Sequence, residues 1–218
     1  MLEPESGTTR LIPREISEDT LKADLERYKQ EAIELGVSRA EIIPAQWVQI
    51  DERVRLKCSV PRCRSYGLCP YCPPHTPELE LIRQALSRFK WAMLIAMDVP
   101  VEDFADTTRY YSHGPEHQRK GNEIVAKIEL MAFADGYYLA AAFGSGTCRT
   151  ILCDRTPCQV FDNGSCRFPL KARPSMEAVG MDVFGLVTKV GWDIYPIYNG
   201  INPDLVPCAW SVSIVFIH

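Results

Sequence analysis

The chain has 218 residues, enough for one large domain or two small ones with a full apolar core. Hydrophobic residues make up 46% and charged residues 24%, as in water-soluble folded proteins, and the net charge of -4 argues against general nucleic-acid binding, which needs a basic excess. No apolar run approaches the roughly 20 residues that span a bilayer, and "MLEPESGTTR" lacks the apolar core of a secretory leader, so no membrane association is expected.

Residues 1–16 are polar and read as a loosely held N-terminal tail, with 17–218 forming a single α/β domain. "SEDTLKADLERYKQEAIELG" (17–36) predicts an amphipathic helix: Ser17 caps it, Leu21, Leu25, Tyr28 and Ala32 recur at helical spacing, and Gly36 stops it. "EIIPAQWVQIDERVRLKC" (41–58) reads as two short extended segments around the polar "DER". "TPELELIRQALSRF" (76–89) predicts a helix with Thr76 as cap and Pro77 in its first turn. "WAMLIAMDVP" (91–100) is a continuous apolar run ended by proline, the mark of a strand buried on both faces. The polar stretch 101–114 reads as a loop, 115–135 as a helix and "GYYLAAAFG" (136–144) as another buried strand. "PSMEAVGMDVFGLVTKVG" (174–191) reads as helical, while "WDIYPIYNG" (192–200) and "AWSVSIVFIH" (209–218) are expected to pair as neighbouring strands.

Strands alternating with helices predict an α/β fold with a mixed, mostly parallel sheet flanked by helices. Two cysteine-rich metal-binding loops, 58–75 and 144–170, would then lie at one sheet edge. Ligands in such sheets gather beyond the C-terminal ends of strands. Both loops and residues 101–114 would meet there.

Eight of the nine cysteines fall into two sets. Cys58, Cys63, Cys69 and Cys72 are spaced x4, x5, x2; Cys148, Cys153, Cys158 and Cys166 are spaced x4, x4, x7. Without export the thiols stay reduced in the cytoplasm, and the odd count weakens a disulfide framework further. Each set can complete a metal or cluster site. A structural zinc site joins two short knuckles across a longer spacer, whereas the first set has one C-x2-C and the second has none. Thiols strung along a loop suit the separated corners of a [4Fe–4S] cluster, and the prolines of "CPP" (72–74) and "CRFP" (166–169) are similar to those that follow ferredoxin cysteines. Zinc remains open, most of all for the first set. The prolines of "CSVPRCRSYGLCPYCPPH" (58–75) restrict the loop and reduce the entropy lost when metal binds.

Arg53, Arg55, Lys57, Arg62 and Arg64 crowd the first set, and Arg149, Arg155, Arg167, Lys171 and Arg173 the second. Cations stabilise a thiolate-held centre, although a solvated basic face looks the same. Cys208 reads as a buried inert thiol, and His75 as a loop residue. His113 and His117 are separated by Gly114-Pro115 and do not form a metal pair. Tyr110, Tyr111 and His113 stand on the loop expected at the ligand edge. "GSG" (144–146) lacks a dinucleotide fingerprint and serves to turn the backbone closely. Ser175 and Glu177 read as capping residues.

The stretches "VRLKCSVPRCRSYGLCPYCPPHTP" (54–77), "KIELMAFADGYYLAAAFGSGTCR" (127–149) and "CRFPLKARPSMEAVGMDVF" (166–184) resemble the DUF2284 family, predicted metal-binding proteins of bacteria and archaea. The resemblance runs from about residue 45 to the end, with "ARPSMEAVGMDV" its most specific part. It implies metal binding and no settled reaction. The family's first motif falls on Cys58, Cys63 and Cys72, and Cys69 stands outside it. Three ligands would leave a fourth position open for substrate. The expected function is therefore that of a cytoplasmic iron–sulfur protein from an anaerobe or microaerophile, with one or two [4Fe–4S] clusters. The second set would exchange electrons with a partner protein, and the first would act on a small-molecule substrate. The alternative is a non-catalytic zinc protein whose basic surroundings bind a partner.

Overall fold

The first amphipathic stretch is helical because its start is specified chemically. In the computed structural model, which describes residues 10–13 and 15–218, helix α1 spans Glu18–Glu34 and the Ser17 hydroxyl accepts the Thr20 N–H at 3.1 Å. Residues 1–9 and 14 of the expected tail lie outside the described residues. Arg10 is pinned to the fold, its guanidinium 2.7 Å from the Asp24 carboxylate.

The sheet has four strands, β1 (Arg39–Pro44), β2 (Trp91–Asp98), β3 (Ala141–Phe143) and β4 (Trp210–Phe216). Their order is β1-β2-β4-β3, and every pairing is antiparallel. The mostly parallel sheet expected from the sequence is therefore wrong. A single crossover helix returns the chain for a parallel strand, but these connections are longer and more broken. The β1–β2 connection carries α2 (Glu52–Leu56), the first cysteine loop and α3 (Leu79–Leu86). Helices α4 (Glu102–Ala105), α5 (Thr107–Ser112) and α6 (Gly114–Ala134) lead to β3; α7 (Cys148–Ile151), α8 (Gln159–Asn163) and α9 (Val183–Val190) lead to β4.

The continuous apolar runs are explained by two cores rather than by strand direction. Met93, Ile95 and Met97 face α1 and α6, packing with Tyr28, Ile128 and Val215. The alternating Ala92, Leu94 and Ala96 face the other side, with Leu86, Met176, Leu186 and Ile214. Helices on both faces bury an antiparallel strand as completely as a parallel one.

Other elements also depart from expectation. The second extended segment of 41–58 is α2, started by Asp51, whose carboxylate accepts the Arg53 N–H at 2.7 Å. Residues 101–114 contain two short helices rather than a plain loop. The helix expected over 174–191 is a short turn, Glu177–Val179, followed by α9, because Gly180 takes φ 82° and Asp182 caps a new start at Val183, its carboxylate accepting the Gly185 N–H. Residues 192–200 form no strand; Pro196 lacks the N–H that a ladder needs. That segment is tied instead by Trp210 Nε1 donating to the Asp193 carbonyl at 2.8 Å. No helix among the described residues is long and apolar enough to cross a membrane.

One consequence positions the cysteines. Because β2 and β3 both run antiparallel to β4, they share a direction, and both leave the sheet towards the end where β4 begins. Residues 101–114 and the second cysteine loop start there. The first loop follows a helix, not a strand, and is carried to the same end by residues 45–57.

Candidate metal centre

Tight turns build the first loop. The Cys63 N–H donates to the Cys58 carbonyl at 2.9 Å, Cys72 to Cys69 at 3.1 Å and His75 to Cys72 at 3.1 Å. The Gly67 N–H closes back onto the Pro73 carbonyl at 2.7 Å. The loop's exit is fixed by the Thr76 hydroxyl donating to the Ala178 carbonyl at 3.2 Å, which ties it to the Glu177–Val179 turn. On the other side, Gly144 exchanges backbone bonds with this segment, donating to Pro174 at 2.9 Å and accepting from Met176 at 3.0 Å. The "GSG" stretch thus turns between the two loops. Gly146 has φ 66°, and a Cβ there would lie 2.2 Å from Gln118 Oε1, so no other residue fits without a shift.

All nine cysteines are free thiols. The two sets are not separate in space: Cys69, Cys72 and Cys148 pack in one buried cluster, with Cys158 and Cys166 against it. The Thr147 hydroxyl lies 3.4 Å from Cys72 Sγ and 3.7 Å from Cys69 Sγ. The Cys72 S–H donates to the Thr147 hydroxyl. Contacts with Cys148 and Cys72 hold the Cys69 thiol far below the ordinary range, and the same contacts, then burial, push Cys72 and Cys148 up.

Cys148, Cys153, Cys158 and Cys166 all line one narrow pocket of about 20 Å³, together with Arg149 and Arg167. No carboxylate or imidazole shares that lining. The Phe168 N–H points at Cys166 Sγ at 3.4 Å. Arg149 donates to the Thr156 carbonyl at 3.1 Å and Arg167 to the Pro157 carbonyl at 2.8 Å, so both cations also brace the loop. Arg173 is spent on Glu129 at 2.6 Å and Lys171 on Glu123 at 2.9 Å. Four thiols flanked by two guanidiniums fit a thiolate-bound metal group. Among the described residues, however, no three Cys, His, Asp or Glu side chains converge as a preformed site for a single ion.

Cys58, Cys63 and Cys72 open onto a second, larger cavity of about 460 Å³. Cys69, fully buried, is absent from its lining and is turned towards Cys148. Burial, then the nearby Cys63 and Glu177, push the Cys58 thiol up. Tyr110 and Gln118 reach the cavity from α5 and α6, and Ser145 lies in its floor, 2.8 Å from the Ser211 hydroxyl. Glu177 lines the wall: water reaches it through the cavity, but protein surrounds it closely enough that desolvation raises its carboxyl. The Ser175 hydroxyl accepts the Ala178 N–H at 3.2 Å, as its capping reading required.

Sequence reasoning missed two of these wall residues. Cys208, read as buried, is only partly so; it lines the cavity and donates to the Asp193 carbonyl at 3.5 Å. Glu177 reads as a capping residue because its neighbours Pro174 and Ser175 signal a helix start, and nothing local to it signals a cavity. The histidines are used structurally. His75 packs on Phe161 with ring centres 5.0 Å apart, while His117 Nε2 meets Asp103 at 2.8 Å and His113 lies 3.8 Å from the same carboxylate.

Unpaired thiols gathered in two adjoining pockets beside guanidinium groups define a metal-binding class of protein. The chain belongs to the DUF2284 family, described as a predicted metal-binding protein, whose family model matches residues 41–204. No match was found among the curated proteins or among the solved structures.

Proposed function

We propose that this is an iron–sulfur protein with a redox role, in which Cys148, Cys153, Cys158 and Cys166 hold a [4Fe–4S] cluster. Cys58, Cys63 and Cys72 hold a second centre with one position open to a small substrate. The observation that carries this reading is the three-thiol face of the 460 Å³ cavity, from which Cys69 is turned away. Three protein ligands beside a substrate-sized space are what a reactive centre needs and a structural staple does not. Bound clusters would supply one-electron chemistry. The chain's own residues would do the rest: thiolates fix the centres, Thr147 hydrogen-bonds between the sets, and Arg149 and Arg167 offset the negative charge.

The spacing of the second set along its loop favours a polynuclear group over one ion. A zinc staple is the second reading, favoured by the narrowness of the second pocket. Iron, acid-labile sulfide and zinc analysis of anaerobically purified protein separates the two. Iron with matching sulfide supports clusters, and zinc with no sulfide supports the staple.

A further inference from the structure

The larger cavity has a composition that selects its ligand. Its walls away from the thiols are mostly apolar and aromatic, including Phe104, Tyr110, Phe184 and Trp210. Apart from the thiols, Glu177 is the only acidic or basic side chain among the described residues that line it; no Asp, Lys, Arg or His faces it. Among the described residues Glu177 has no ion pair, and its side chain meets Ser175. Glu177 is exposed to the cavity, so an entering ammonium group can pair with its carboxylate, and the apolar lining around it makes that pairing stronger than in open water. Aromatic faces around the same space attract cations as well.

We propose that the cavity binds a small apolar or aromatic amine, with the ammonium group at Glu177 and the hydrocarbon part against the aromatic wall. The volume, about 460 Å³, lies within the ordinary range of small-molecule pockets. An anionic ligand of the same shape would meet Glu177 with like charge and no Lys, Arg or His in the lining to compensate; only the metal of the first centre could do so, and its three thiolates offset that charge. This inference rests on reading the cavity as the substrate space of the first centre, and it supplies the chemical class of that substrate.

The test uses three probes on one carbon skeleton, phenethylamine, 2-phenylethanol and phenylacetate, titrated calorimetrically into the full-length protein purified anaerobically. Phenethylamine should bind tightest and phenylacetate weakest. Glu177→Gln, which keeps the shape of the wall, should weaken phenethylamine about tenfold or more and leave 2-phenylethanol unchanged, because a charge-assisted bond is lost. Equal affinity for the three probes, a preference for phenylacetate, no binding of any probe, or an unaltered response in Glu177→Gln would overturn the proposal. The probe series on the unaltered protein decides the matter even if the variant does not fold. Metal content is measured on the same samples. Metal with no amine binding sinks this inference alone, whereas Glu177-dependent amine binding to protein whose first site holds no metal keeps it and sinks the metal reading.

Discussion

The four cysteines of the first loop are not equivalent. Cys63 is exposed and faces the cavity with Cys58 and Cys72, while Cys69 has no exposed surface and contacts Cys148. Cys69→Ala is therefore expected to retain most of the metal bound by the first site, and Cys63→Ala to lose it. Metal content per chain measures both, and equal loss in the two variants would mean that the first site is closed by four thiolates. A different residue governs acid stability. Burial alone would raise the Asp24 carboxyl, but hydrogen bonds from Arg10, Arg27 and Tyr137 outweigh it and hold the group below its ordinary 3.8. A depressed carboxyl contributes stability that is fully present above its unfolded value and is lost as pH falls through the folded one. Asp24→Asn should cost about 1.5–3 kcal/mol near neutrality and flatten the fall in stability below about pH 4. Denaturant melts across that range would show it, and an unchanged acid slope would remove Asp24 from the account.

Elements were legible where a local signal and the tertiary outcome agreed. Ser17 and the period of α1 specified a helix that the fold then used, and the apolar runs of β2 and β4 could only be buried strands. Strand direction was not legible, because it depends on how long connections return to the sheet. In α2, Val54 and Leu56 alternate with charged residues like a strand, and the cap at Asp51 decided for a helix. The candidate site was half legible. Spacing grouped the cysteines into two loops, yet the contact of Cys69 with Cys148 joins residues far apart in the chain and leaves no local mark in either loop. The break at Gly180 belongs to this scale. Besides its φ of 82°, a Cβ there would lie 2.8 Å from Leu79 Cδ2. Gly180→Ala should cost about 1–3 kcal/mol in unfolding free energy, and a neutral substitution would show that the turn holding Thr76 and Glu177 is not constrained in this way.

Across the molecule, two apolar cores sandwich the sheet, and the thiol cluster sits apart from both at the end where β4 begins. Bound metal would cross-link the second loop, which is braced by its own Arg149 and Arg167 and tied outward by Arg119 to the Ile151 carbonyl at 2.5 Å and by Arg155 to the Tyr111 carbonyl at 2.6 Å. Cys153→Ala or Cys166→Ala should each lower the melting temperature and remove the second centre, because metal binding contributes folding free energy. Melting that is unchanged in both variants would deny the loop that role. The central claim is that these thiols hold iron–sulfur clusters, and the direct measurement is iron, acid-labile sulfide and zinc per chain in protein purified without oxygen, read together with its visible spectrum. The expected result is brown protein with iron and sulfide in equal amounts, ~4 of each per cluster. Colourless protein carrying stoichiometric zinc and no sulfide would contradict it.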